Sequence, residues 1–135
     1  MSEVSDSIKK KQFLIVDDYE TMRILVKTDL QKLGISKVFV SKSGNEALNI
    51  IKSKLGTSEQ VEFVITDMMM PDGTGLELTK GIRAIPELKK LPILMVSSIA
   101  EMNHIIECAK AGINDYIVKP WEIEDLSKKI SLLGK

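Results

Sequence analysis

The chain has 135 residues, 44% of them hydrophobic, which suits one domain with a real core and is too short for two ordinary ones. Its 19 basic and 19 acidic side chains cancel to zero formal charge, leaving no electrostatic footprint for nucleic acid or a membrane surface. The one cysteine, Cys108, can form neither an internal disulfide nor a cysteine metal site, so a reducing, cytoplasmic setting is expected. No apolar stretch approaches the roughly 18 residues needed to span a bilayer.

Met1 to Gln12 has no apolar core and does not read as a signal peptide; Met1 to Ile8 is expected to be a frayed tail, with Lys9 to Lys11 a solvated run. The first apolar run, Phe13-Leu14-Ile15-Val16, stops at Asp17 and Asp18. Met22, Leu25, Val26, Leu30 and Leu33 then follow helical spacing and end before Gly34, a helix-stop signal. Val38-Phe39-Val40 reads as a strand. A second helix runs from about Ser43, with Ala47, Leu48, Ile50 and Ile51 inward, to Leu55 before Gly56. Phe63-Val64-Ile65-Thr66 stops at Asp67. The third helix carries Leu76, Leu78 and Ile82 and ends before Pro86. Ile93-Leu94-Met95-Val96 stops at Ser97, and the fourth helix carries Met102, Ile105, Ile106 and Ala109 before Gly112. Tyr116-Ile117-Val118 stops at Lys119, and the fifth helix, with Ile123, Leu126, Ile130 and Leu133, precedes Gly134-Lys135, which reads as a natural stop. Five alternating β and α units, in a core from about residue 12 to 133, imply an α/β, doubly wound parallel sheet with helices on both faces.

Four runs thus end at residues able to do chemistry. If they are parallel strands, their carboxyl ends share the edge where open α/β sheets bind ligands. Asp17, Asp18 and Asp67 would meet there with only Lys119 to offset them, an arrangement that calls for a cation. Oxygen ligands at a watery edge favour Mg²⁺, with Mn²⁺ as the alternative ion. A carboxylate beside such a metal, a lysine and a hydroxyl is suited to phosphoryl transfer, with an aspartate as nucleophile.

The stretches F-L-I-V-D-D-Y-E-T-M-R, V-I-T-D-M-M-M-P, G-L-E-L, I-L-M-V-S-S and A-G-I-N-D-Y-I-V-K-P, taken together, resemble the response-regulator receiver family, and within it the stand-alone chemotaxis regulators, from Phe13 to about Ile130. That resemblance implies the flavodoxin-like strand order 2-1-3-4-5 with five helices. It makes Asp67 the phospho-acceptor, and Asp17, Asp18, Asp67 and the Met69 backbone carbonyl the metal site. Ser97 becomes the hydroxyl that reports phosphorylation, Lys119 the phosphate-binding cation, Tyr116 the aromatic switch and Lys119-Pro120 a cis peptide. Met69, Ser98, Ile99 and Pro120 would flank the phosphoryl pocket. The implied partners are a histidine kinase as phosphodonor, an output protein on the surface of the fourth helix, fifth strand and fifth helix, with the flagellar switch among the candidates, and a separate phosphatase. A monomeric signalling protein is expected, not an enzyme acting on other substrates.

The sequence departs from the family pattern at three places. Ser98 stands where alanine or glycine is usual, which predicts crowding or an extra hydrogen bond at the pocket. Asp72-Gly73-Thr74-Gly75 predicts a flexible turn. Glu101 and Met102 replace lysines that the chemotaxis regulators carry near the start of the fourth helix. Two alternative readings meet the residues less well. A small-molecule phosphatase with an aspartate nucleophile would need an acid at position 69, where Met69 stands. A flavodoxin-like ligand carrier would need a phosphate-cradling glycine loop, where Asp17-Asp18-Tyr19-Glu20 would repel phosphates. Met68 and Met70 read as core filler, Cys108 as a small buried hydrophobe, His104 as solvated, and Trp121 as packing over the last helix.

Overall fold

The computed structural model describes residues 4–70 and 74–135. Continuous apolar runs become strands buried on both faces: β1 (Phe13–Val16), β3 (Phe63–Asp67) and β4 (Ile93–Ser97) are buried along their whole length. The edge strands β2 (Val38–Ser41) and β5 (Asp115–Val118) are partly exposed. All neighbours pair in parallel, in the order β2-β1-β3-β4-β5. This is the flavodoxin-like order, with the switch point between β1 and β3.

The two-residue period of the strands sorts their side chains onto two faces. On one, Phe13, Ile15, Phe63, Ile65, Leu94, Val96 and Ile117 meet Val26 and Leu30 of α2 (Glu20–Lys32) and Leu126 and Ile130 of α6 (Ile123–Leu133). The Phe13 and Phe63 rings stack there at 4.7 Å. On the other, Leu14, Val16, Val64 and Ile93 meet Ala47 and Ile51 of α3 (Gly44–Lys54) and Leu78 and Ile82 of α4 (Gly75–Arg83). Met68, Met95 and Cys108 of α5 (Ile105–Ala111) form a third, smaller cluster beside β4.

Four expectations are corrected. Val4 and Ile8 are buried rather than frayed, and Asp6–Lys9 forms a short helix, α1, whose first turn is capped by Ser5. Val4 and Ile8, four residues apart, join Leu30, Ile35 and Ile130 at the end of the core away from the aspartates; Met1 to Glu3 lie outside the described residues. The α-helices among the described residues are therefore six, and the predicted fourth and fifth helices are α5 and α6. The apolar stripe of the fourth helix is also shifted: Ile99–His104 is a 3₁₀ segment, so the α-helical phase starts only at Ile105, Cys108 becomes the fully buried residue, and Ile106 is 65% exposed. Leu25, expected inward, is 46% exposed.

Candidate functional site

The carboxyl ends of the strands bring together the residues that the sequence singled out. Asp67 closes β3 and is 4% exposed. Its Oδ1 accepts from the Met68 backbone N–H at 2.9 Å and from Lys119 Nζ at 3.2 Å. Lys119 follows β5 and reaches across the end of β4, where its own N–H donates to the Ser97 carbonyl at 2.8 Å. The Lys119-Pro120 peptide is cis, as the resemblance implied. Asp17 follows β1; its Oδ1 accepts from the Tyr19 N–H at 2.9 Å, and its carbonyl accepts from Arg23 at 2.8 Å. One carboxylate oxygen from each of Asp17, Asp18 and Asp67 lies within 4.8 Å of the others.

Behind Asp67 the backbone is tightly packed. The Gly75 N–H, at the start of α4, donates to the Met68 carbonyl at 2.9 Å, and a Cβ at Gly75 would collide with the carbonyl oxygen of Asp67. The two-glycine turn expected here is described only in part, since Pro71, Asp72 and Gly73 lie outside the described residues; Thr74 caps α4 in a reciprocal box with Glu77.

Charge is poorly balanced in this cleft. Burial, and then the neighbouring Asp17 charge, push the Asp67 carboxyl up to about 6 against the pull of Lys119. Burial also raises Asp17, partly offset by its bond from the Tyr19 N–H. Asp18 Oδ1 is buried with no hydrogen-bond partner among the described residues. An orphaned carboxylate oxygen, two carboxyls raised by burial and a purely oxygen donor set fit a hard divalent cation.

Asp18, Asp67, Met69, Ser98 and Lys119 line one open cleft of about 500 Å³. Ile99, which is 76% exposed, and Pro120 are not among the described residues lining it. Ser97 is fully buried, and its hydroxyl donates to the Met102 sulfur at 3.6 Å. Tyr116 is partly buried against the cluster of Met68, Met95 and Cys108. Lys129 Nζ lies 5.8 Å from its ring centroid and donates to Asp115 at 2.9 Å.

One residue enters the site unannounced. Glu101 also lines the cleft, and its Oε1 accepts from the Ser98 N–H at 2.8 Å and the Ser98 hydroxyl at 3.0 Å. The spacing Ser98-x-x-Glu101 is a capping-box signature that could have revealed this bond. Trp121 packs against the core face shared by α2 and α6, and its indole N–H donates to Asp29 of α2 at 2.9 Å, a link across 92 residues that no local pattern encodes. Met68 and Met70 are buried, His104 is exposed, and burial pushes the fully enclosed Cys108 thiol up, as expected of inert filler and solvated surface.

The family model described as response regulator receiver domain matches residues 13–131. The chain is 43% identical over 122 residues to Chemotaxis protein CheY-3 of Vibrio cholerae serotype O1, covering 90% of each. It is 40% identical over 119 residues to Chemotaxis protein CheY of Pseudomonas aeruginosa, covering 88% of this chain and 92% of that one. Among solved structures, the chemotaxis response regulator CheY4 of Vibrio cholerae shares the fold with a TM-score of 0.78 at 30% identity, over 91% of this chain and 98% of that one. With the strand order, the buried Asp67 and its Lys119 partner already in place, these likenesses settle the class: the chain belongs to the response regulator receiver domain family, as the receiver of a CheY-like regulator in two-component signalling.

Proposed function

We propose that Asp67 accepts a phosphoryl group from the phosphohistidine of a partner kinase, and that the phosphorylated aspartate redirects binding at a distant surface. The observation that carries this reading is the buried Asp67 carboxylate held 3.2 Å from Lys119 Nζ at the mouth of an open cleft. An Asp67 oxygen attacks phosphorus in line, the phosphorus–nitrogen bond of the donor breaks, and its electron pair leaves on the imidazole. Lys119 then balances charge on the phosphoryl oxygens. Asp17, Asp18 and Asp67, with the Met69 carbonyl, would hold Mg²⁺ or Mn²⁺, which when bound offsets charge on the transferring group.

Ser97 supplies the readout. Its hydroxyl leaves Met102 for the new phosphoryl oxygens, and the space beside β4 admits Tyr116, reshaping the surface of α5, β5 and α6. A groove of about 640 Å³ along β5 and α6, lined by Tyr116, Trp121 and Lys129 among others, suits an output protein there. The receiver acts as a monomer in the cytoplasm, with the flagellar switch a candidate output and a separate phosphatase resetting it. No helix among the described residues is long and apolar enough to cross a membrane.

Incubation with Mg²⁺ and acetyl phosphate should add one acid-stable, base-labile phosphoryl group, and Asp67→Asn should abolish it. Labelling of the variant, or a label on His104 or a serine, overturns the assignment.

A further inference from the structure

We propose that Glu101 is an electrostatic gate on the phosphoryl pocket: its carboxylate, fixed at the cleft by Ser98, repels small anionic phosphodonors and competes with phosphoryl oxygens for the Ser98 donors. This rests on Asp67 being the phospho-acceptor and names what selects its donor. Lys119 already serves Asp67, and among the described residues lining the pocket the other hydrogen-bond donors on the β4 side are the Ser98 N–H and hydroxyl. Both are committed to Glu101 Oε1, at 2.8 and 3.0 Å. Glu101 is therefore an internal anion seated where an incoming anion would look for donors, and its charge reaches Asp67.

The restraint that holds it is local and reversible. Ser98 caps the 3₁₀ segment Ile99–His104, a short element with poorer hydrogen-bond geometry than an α-helix and no buried residue of its own. A phosphoryl group on Asp67 would have to displace the Glu101 carboxylate from Ser98. A free acyl phosphate meets that cost, and the repulsion, with little binding energy to offset it. A donor delivered by a docked protein draws on the whole interface. The gate thus favours a protein-borne phosphohistidine over free metabolic phosphoanhydrides.

The test compares initial phosphorylation rates of the parent, Glu101→Gln, Glu101→Ala and Glu101→Lys in Mg²⁺. The donors are acetyl phosphate, which is doubly charged, and phosphoramidate, which is singly charged. Attack by Asp67 expels acetate from the first and ammonia from the second. Glutamine keeps an oxygen for the Ser98 N–H, so the cap survives while the charge goes. The expected result is an increase of about fivefold for Glu101→Gln with acetyl phosphate, of the order of one unit charge removed from a screened, half-open pocket. Glu101→Ala should be at least as fast and Glu101→Lys faster still, with smaller gains for phosphoramidate and narrower differences at high salt. If the parent is labelled at Asp67 but Glu101→Gln and Glu101→Ala are no faster, the gate is overturned alone. A parent that is not labelled, or a labelled Asp67→Asn, overturns the phosphorylation reading and the gate with it.

Discussion

The Ser97 hydroxyl, fully enclosed at the end of β4, donates to the Met102 sulfur at 3.6 Å. A thioether is a weak acceptor, so the bond orients the hydroxyl without holding it strongly. Ser97→Ala should accordingly cost less than about 1 kcal/mol in denaturant unfolding, because the lost bond is worth little and the alanine fits the same space. Phosphorylation should continue at nearly the parent rate. The coupling should suffer: partner affinity that differs between phosphorylated and free parent by about 5- to 150-fold should differ much less in the variant. Undiminished coupling would remove the hydroxyl from the switch.

Asp67 makes stability depend on pH. Its carboxyl titrates at about 6 in the folded chain against 3.8 for an ordinary aspartate. Below about pH 4 both states hold the proton and nothing is lost. Between 4 and 6 the unfolded chain ionises first, so stability falls as pH rises, and above 6 the full cost of about 3 kcal/mol is present. Asp17, raised for the same reason, acts in the same direction. Without divalent cations, Asp67→Asn should therefore be more stable than the parent at pH 7.5, by about 1–3 kcal/mol once the lost ion pair with Lys119 is allowed for, and no more stable at pH 4. Urea unfolding in EDTA at both pH values checks this; a variant that gains nothing at pH 7.5 contradicts it.

The same crowding of carboxylates predicts a response to metal. Millimolar Mg²⁺ should raise the melting temperature by several degrees, since an ion bound only by the folded state stabilises by mass action, about 2.7 kcal/mol at a hundred times its dissociation constant. Asp18→Ala removes the buried oxygen that has no partner among the described residues and should lose most of that gain. Differential scanning calorimetry with and without Mg²⁺ separates the cases, and a parent indifferent to Mg²⁺ would contradict the site.

What the sequence revealed and what it hid divide along a physical line. Asp17, Asp18, Asp67, Ser97 and Lys119 were legible because each ends an apolar run, and a parallel sheet carries such ends to one edge. Glu101 and Met102 do not read as parts of the site because helical spacing puts Met102 on one stripe with Ile105, Ile106 and Ala109, whereas it lies in the 3₁₀ segment Ile99–His104, which turns side chains by a different angle. Arg83 was invisible for another reason. It bonds the carbonyls of Gly112 and Leu88 and the Asn114 side chain, and Asn114 in turn accepts from the Ile93 N–H, so the knot ties the stretch from Arg83 to Ile93 to Gly112 and Asn114, across separations of 21 to 31 residues.

The lifetime of the phosphoryl group should be set in part by Met69. Hydrolysis needs a water oriented towards the phosphorus, and Met69 contributes to the cleft a side chain that is 53% exposed and a poor hydrogen-bond partner. Glu101, the cleft's remaining carboxylate, has its Oε1 engaged by Ser98. Met69→Asn places an amide that can both donate to and accept from water at the same lip, and should shorten the phosphoryl half-life by about three- to tenfold, or about 0.7–1.4 kcal/mol of barrier. Decay of ³²P-labelled protein after donor removal, in Mg²⁺, measures it. The rate of labelling by acetyl phosphate serves as the control, because an altered decay with unaltered labelling locates the effect in water access. A half-life equal to or longer than the parent's would show that the apolar side chain at position 69 does not limit hydrolysis.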